Sequence, residues 1–177
     1  IDFSQFDLVY AGAQKNMGPA GSTLVVVKKE ILGKTGRDIP SMLDYSLHIA
    51  KESMYNTPPV FPVYASLLTL QHLENNGGIE AAEARNEAKA KLIYGEIDRN
   101  PLFETFCIKE EEDRSLMNVS FKLIDESKKE EFDNAWKAAG ISGLNGHRSL
   151  GGYRASMYNA MTIESVQILV DVMKNLK

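Results

Sequence analysis

The chain has 177 residues, 44% of them hydrophobic, and a net charge of −4 at neutral pH. That composition excludes a disordered chain, and acidic and basic residues mixed along the sequence argue against a nucleic-acid partner, which calls for a basic face. No apolar run approaches the roughly 18 residues of a membrane span, nothing resembles a secretory signal, and the single cysteine, Cys107, rules out an internal disulfide. A reducing cytoplasm is the expected compartment.

Residues 6–11, rich in β-branched and aromatic side chains and stopped by Gly12, read as a strand. A glycine-rich loop from Gly12 to Gly21 leads to a second strand over 22–28. Its four consecutive apolar residues, Leu24 to Val27, predict burial on both faces. Between Ile39 and Pro59 the pattern is irregular, as in an ordered loop, and places His48 in that loop. Pro62 opens a helix, in which Val63, Leu67, Leu70 and Leu73 keep helical spacing as far as Asn75 to Gly78. His72 falls on this helix, and neither histidine has a second ligand at metal spacing.

An alanine-rich charged helix is expected from 79 to about 100, ended by Pro101. Two alternating strands, 103–108 and 116–123, flank an acidic loop from Glu110 to Asp113, with Met117, Val119, Phe121 and Leu123 on one face. Cys107 sits in the first of them as an apolar side chain. Ser127 and Glu130 have the form of a capping box, Phe132 and Trp136 follow at i, i+4, and Gly140 ends the helix. A glycine-punctuated stretch leads to a strand over 153–158. A final helix is capped by Thr162 and lines up Ile163, Val166, Val170 and Met173. The part after the long helix therefore reads ββ-α-β-α, an α+β unit distinct from the strand–loop–strand start.

Three segments carry chemistry. A lysine on a glycine-rich loop is by itself a solvated residue, but the whole run Ala11-Gly12-Ala13-Gln14-Lys15-Asn16-Met17-Gly18-Pro19-Ala20-Gly21 resembles the cofactor-lysine segment of the phosphoserine aminotransferase family. That family belongs to class V of the fold-type-I pyridoxal-phosphate enzymes. Tyr55-Asn56-Thr57-Pro58-Pro59 is turn chemistry in isolation, and resembles the family's asparagine–threonine pair. Gly146-His147-Arg148-Ser149-Leu150-Gly151-Gly152-Tyr153-Arg154-Ala155-Ser156 sets two arginines and a histidine among glycines. Such a cluster suits anions, because the guanidinium fork grips carboxylates and phosphates in bidentate fashion. It resembles the family's H-R-x-x-G-G-x-R-A-S element.

The resemblance spans the chain and implies an α/β fold. Residues 1–78 would be the C-terminal portion of the large pyridoxal-phosphate-binding domain, and 79–177 a small α+β domain. It implies pyridoxal 5'-phosphate as cofactor, Lys15 as the Schiff-base lysine, and Gln14, Asn56 and Thr57 as further cofactor contacts, the last two reaching across a homodimer interface. Arg154 would clamp the substrate α-carboxylate. His147 and Arg148 would hold the distal anion, either the phosphate of phosphoserine or the side-chain carboxylate of glutamate. The expected partners are small amino-acid and phospho-oxo-acid substrates and a second copy of the chain, with no nucleic acid or membrane.

The opening Ile1-Asp2-Phe3, without an initiator methionine, reads as a piece of a longer protein. The family's aromatic ring over the cofactor and the aspartate facing its pyridine nitrogen would come from an upstream half. Two other readings stay open at this point. One is another class V enzyme, such as an alanine–glyoxylate aminotransferase or a cysteine desulfurase; the latter is disfavoured by a strand position for Cys107, since a sulfur acceptor needs a mobile loop. The other is a non-catalytic fold or dimerisation module.

Overall fold

The computed structural model describes residues 2–106 and 111–177. Cys107 and the end of the strand expected over 103–108 lie outside the described residues. The chain divides into two compact units, Ile1–His72 and Leu73–Lys177, so the division falls inside a helix, ahead of the Asn75–Gly78 turn.

In the first unit, strands β1 (Leu8–Gly12) and β2 (Thr23–Val27) form an antiparallel hairpin, in register from Leu8 opposite Val27 to Gly12 opposite Thr23. The expected burial of β2 on both faces is not observed. Val25 and Val27 are half-buried while Leu24 and Val26 are open, the period-two alternation of a pleated strand partly covered on one face only. Residues 39–59 hold more order than their irregular pattern predicts. Asp44 accepts from the backbone N–H of Ser46 at 2.9 Å and so caps a short helix, α1 (Tyr45–Ala50), which carries His48. Helix α2 (Val60–Asn75) begins two residues before Pro62, which sits in the first turn, where its missing N–H leaves no bond unmade. Its Val63, Leu67 and Leu70 have the predicted spacing but are exposed, as are Phe61, Tyr64 and Leu68 on its other sides. A helix apolar all round is one built to be covered.

The second unit has the predicted order. Helix α3 (Gly78–Arg99) ends at Asn100, before Pro101. Strands β3 (Phe103–Thr105), β4 (Asn118–Leu123) and β5 (Tyr153–Ser156) form an antiparallel sheet with β4 central. Helix α4 (Lys129–Ala138) lies between β4 and β5 in the chain, and α5 (Ile163–Asn175) closes the fold. Val119, Phe121 and Leu123 alternate into the core as expected, with Met117 half-buried just ahead of the strand. Phe132 and Trp136 face the same core, where Phe132 stands edge-on to Phe103 at 5.1 Å and to Tyr153 at 4.9 Å between ring centroids. Enclosing each such ring stabilises by about 1.5–3 kcal/mol.

Two details differ from expectation. The cap ahead of α4 is Asp125, accepting from the Ser127 N–H at 2.9 Å, because a 3-10 turn over Glu126–Lys128 precedes the helix and moves its start past Ser127. On α5, Thr162 caps as predicted, but the first turn juts into solvent, so Ile163 is exposed and Leu169 joins Val166, Val170 and Met173 inside.

Candidate functional site

Lys15 sits on the loop of the β1–β2 hairpin. The ladder continues one step past the strands, with the Ala13 N–H donating to Ser22 O at 3.0 Å. A turn then closes from the Met17 N–H to Ala13 O at 3.1 Å. Within that turn Lys15 has φ +87°, a left-handed backbone that costs a side-chain-bearing residue about 1–2 kcal/mol. The other non-glycine residues at positive φ, Glu52 and Ser53, follow the end of α1, where left-handed residues ordinarily stop helices. Lys15 has no helix end to account for it. The loop rides on α2 at Gly18, where an added Cβ would lie 2.6 Å from Ser66 Oγ and 3.1 Å from Ser66 Cα. Only glycine permits this approach. Ser66 Oγ is itself buried with no hydrogen-bond partner among the described residues.

Gln14 and Lys15 are exposed neighbours on this loop. Asn56 and Thr57 lie on the segment between α1 and α2, also exposed, with Asn56 Nδ2 donating to Thr57 O at 3.3 Å. The first unit therefore offers one primary amine on a strained loop and a set of uncharged side-chain donors. His48 has a structural place: its Nε2 lies 3.0 Å from Met42 O, and its ring meets Tyr55 edge-on. Among the described residues no group of three or more His, Cys, Asp and Glu side chains could hold a metal ion.

His147, Arg148 and Arg154 belong to the second unit and share one loop-and-strand. The loop is cinched where the Gly146 N–H donates to Gly152 O at 2.8 Å, and again where Leu150 and Gly151 donate to His147 O at 2.9 and 2.8 Å. Gly152 is required: at φ +56° its backbone presses on the Phe106 ring and Phe121 O, both within 2.7 Å of where a Cβ would stand. His147 Nδ1 lies 2.7 Å from Ser149 Oγ and receives the Ser149 backbone N–H at 3.3 Å. A backbone N–H can only donate, so Nδ1 accepts and the neutral ring carries its proton on Nε2. Arg148 and Arg154 are exposed, and among the described residues neither guanidinium has an ion-pair or hydrogen-bond partner. Arg154 borders a mainly apolar crevice of about 280 Å³ between the residues after α4, β5 and α5. The loop and β5 thus present two guanidinium groups and an imidazole, donors whose chemistry suits anions.

Sequence reasoning missed two polar groups inside the second unit. Lys89 of α3 is 1% exposed, and its ammonium donates to the backbone carbonyls of Met157, Tyr158 and Met161 at 2.9, 2.9 and 3.0 Å. Burial, with Arg85 adding repulsion, holds its pKa below the ordinary lysine value. The clue was available, because Ala82, Asn86, Lys89, Ile93 and Ile97 follow one helical stripe with a lysine in its phase. Asp133 of α4 accepts from Tyr153 Oη at 2.8 Å, Trp136 Nε1 at 3.1 Å and Lys129 Nζ at 2.6 Å. Burial pushes its carboxyl upward, but the three bonds together outweigh that and hold it below the usual carboxylate value. Burial first, then Asp133, drives the Tyr153 phenol well above its usual range.

The family model described as aminotransferase class V matches residues 1–169, and the chain belongs to that family. Within it, the chain is 69% identical to the phosphoserine aminotransferase of Flavobacterium psychrophilum, over 100% of this chain and 49% of that protein. A solved phosphoserine aminotransferase, studied for radiation damage of its Schiff base, matches 99% of this chain and 48% of its own with a TM-score of 0.89 and 44% identity. The pyridoxal-phosphate-bound phosphoserine aminotransferase of Trichomonas vaginalis matches 99% of this chain and 50% of its own with a TM-score of 0.87 and 35% identity. The chain spans about half the length of the curated relatives it matches. No helix among the described residues is long and apolar enough to cross a membrane.

Proposed function

We propose that this chain works within a longer pyridoxal-5'-phosphate-dependent enzyme, phosphoserine aminotransferase, supplying its Schiff-base lysine and its substrate-anion clamps. The reaction passes an amino group between L-glutamate and 3-phosphohydroxypyruvate, yielding 2-oxoglutarate and O-phospho-L-serine. This is chemistry of serine biosynthesis and, in bacteria, of pyridoxine biosynthesis, carried out in the cytoplasm. The observation that carries the reading is Lys15 held in left-handed conformation on a loop with no helix end to explain it. Backbone strain of that kind is a mark of functional positions. The relatives named above, at identities of 35–69%, support the choice of substrate.

The donor set fits the cofactor. Lys15 Nζ is a primary amine able to condense with an aldehyde, and Gln14, Asn56 and Thr57 offer amide and hydroxyl donors to a phosphate without adding charge. When bound, the cofactor supplies an electron sink for the carbanion at the substrate α-carbon. Lys15 Nζ, in its neutral form, takes the proton from that carbon. Arg154 binds the α-carboxylate, and Arg148 with His147 Nε2–H binds the phosphate or, in the other half-reaction, the distal carboxylate of glutamate. Asn56 and Thr57 act across a homodimer interface, on the cofactor phosphate of the other subunit. Residues 1–78 complete the large domain, and 79–177 form the small one.

The test is covalent mapping in the longer enzyme. Borohydride reduction followed by peptide analysis is expected to find the cofactor on Lys15, and Lys15→Ala to abolish the visible absorbance of the lysine-bound cofactor without loss of fold. Label on Lys28, Lys29 or Lys34 would refute the assignment.

A further inference from the structure

Lys89 has no part in the chemistry proposed above, yet its burial is hard to account for by packing. An ammonium withdrawn from water without a counter-ion is costly, and among the described residues no carboxylate pairs with it. A methionine would fill similar space at no such cost. What only the ammonium does is hold three carbonyls with its three N–H groups, each at 2.9–3.0 Å. Those carbonyls belong to residues 157–161, the turn joining β5 to α5. Asn86, one helical turn earlier on α3, reaches the same turn through Nδ2 to Asn159 Oδ1 at 2.9 Å.

The turn begins three residues after Arg154. At the near side, β5 is held by the Arg154 N–H to Leu144 O at 2.7 Å and by pairing with Ser120 of β4. At the far side the Met157 N–H donates to Met117 O at 2.8 Å, and Lys89 with Asn86 ties the turn to α3. No side chain among the described residues holds the Arg154 guanidinium, so what the fold fixes is the point on β5 from which it reaches. Resting on the reading of Arg154 as the α-carboxylate clamp, we propose that Lys89 is a positioning residue for Arg154, fastening the end of β5 from inside the second unit so that the side chain reaches for substrate from a fixed place on the strand.

The experiment is a double-mutant cycle in the longer enzyme loaded with cofactor, reading the Kd for 2-oxoglutarate by calorimetry, cofactor absorbance and amide exchange over residues 153–161. Lys89→Met is expected to weaken 2-oxoglutarate on the order of tenfold, since small misplacement of a clamp is that damaging. The cofactor spectrum stays as it was, and the 153–161 amides exchange faster. In an Arg154→Ala background the same substitution changes Kd no further, which a merely structural lysine would not produce. Asn86→Ala, a milder cut, should give about threefold by the same cycle and answers the question if Lys89→Met does not fold. If Arg154→Ala weakens 2-oxoglutarate but the α3 variants do not, or do so equally with and without Arg154, the positioning role of Lys89 is wrong and the clamp stands. If Arg154→Ala itself leaves Kd unchanged, the clamp and the role of Lys89 fall together.

Discussion

The second unit seals Val119, Phe121, Phe132 and Met173 from solvent completely, whereas the first leaves Tyr10, Val60 and Phe61 at least 70% exposed. Among the described residues, Ala13 is the only buried position of the first unit. Both contain comparable apolar side chains, so composition does not separate them; what differs is the number of layers. The second unit folds a three-stranded sheet and three helices around one core. The first has a two-stranded hairpin and helices that half-bury a few side chains, such as Val25 and Val27, and leave most apolar residues of α2 open. Such surfaces persist in water only when something else covers them. The strained amine therefore sits on the half that depends on cover, and the loop of His147 and Arg148 on the half that does not.

The largest effect expected from this contrast is on activity. The 177-residue chain alone, given pyridoxal phosphate, phosphoserine and 2-oxoglutarate, should turn over at least about a hundredfold more slowly than the longer enzyme, a loss on the scale that misplacing catalytic groups produces. It should also self-associate through the open faces of β2 and α2, while residues 73–177 alone stay monomeric and melt cooperatively. Fragment turnover within about tenfold of the longer enzyme would remove the dependence on cover.

Stability should then separate the units residue by residue. Phe132→Ala empties a sealed site and is expected to cost about 3–5 kcal/mol in denaturant unfolding of residues 73–177. Leu67→Ala, on the open face of α2, should cost under about 1 kcal/mol in the isolated chain, but more in the longer enzyme if that face is covered there. Equal costs in both settings would mean that α2 is a free surface.

At His147, Arg148 and Arg154 the proposed roles make the contrast one of selectivity. Arg148→Ala should lose about 1.5–3 kcal/mol of binding to phosphoserine and little to alanine, which has no distal anion. Arg154→Ala should weaken both alike, as every amino acid carries an α-carboxylate. Competition binding in the longer enzyme reads both, and equal losses for Arg148→Ala would make that residue structural.

The smallest effect is electrostatic. Asp133 has a folded-state pKa depressed below its ordinary 3.8, so its contribution to stability is present above that value and is lost as pH falls through and below it. Residues 73–177 should therefore destabilise on acidification below about pH 4, and Asp133→Asn should flatten that slope. Asp125 and Glu164, lowered as well but fully exposed, remain as a common background in both proteins. An unchanged slope in Asp133→Asn would mean that its three hydrogen bonds do not favour the charged form.

Much of the molecule was legible in the sequence because the relevant signals are local. The alternation at Val119, Phe121 and Leu123, the i, i+4 pair Phe132 and Trp136, the Thr162 cap and the stop before Pro101 depend on periods and caps that a short window contains. So do the runs around Lys15, Asn56 and His147, whose order and residue types carried the family. What the sequence could not decide is which apolar stripe finds a partner. Leu24 to Val27 read as buried from their apolar run, and the α2 residues keep helical spacing as regular as the alternation of β4, yet only the tertiary structure distinguishes them, because burial belongs to the layer opposite and not to the strand or helix itself. The same holds for Lys89 and Lys15. The helical stripe marks Lys89 as inward-facing, but nothing local says that it holds three carbonyls 68–72 residues away, or that Lys15 takes a left-handed backbone on an open loop. Those roles arise from long-range hydrogen bonds and a backbone angle, and both exist only once the chain has folded.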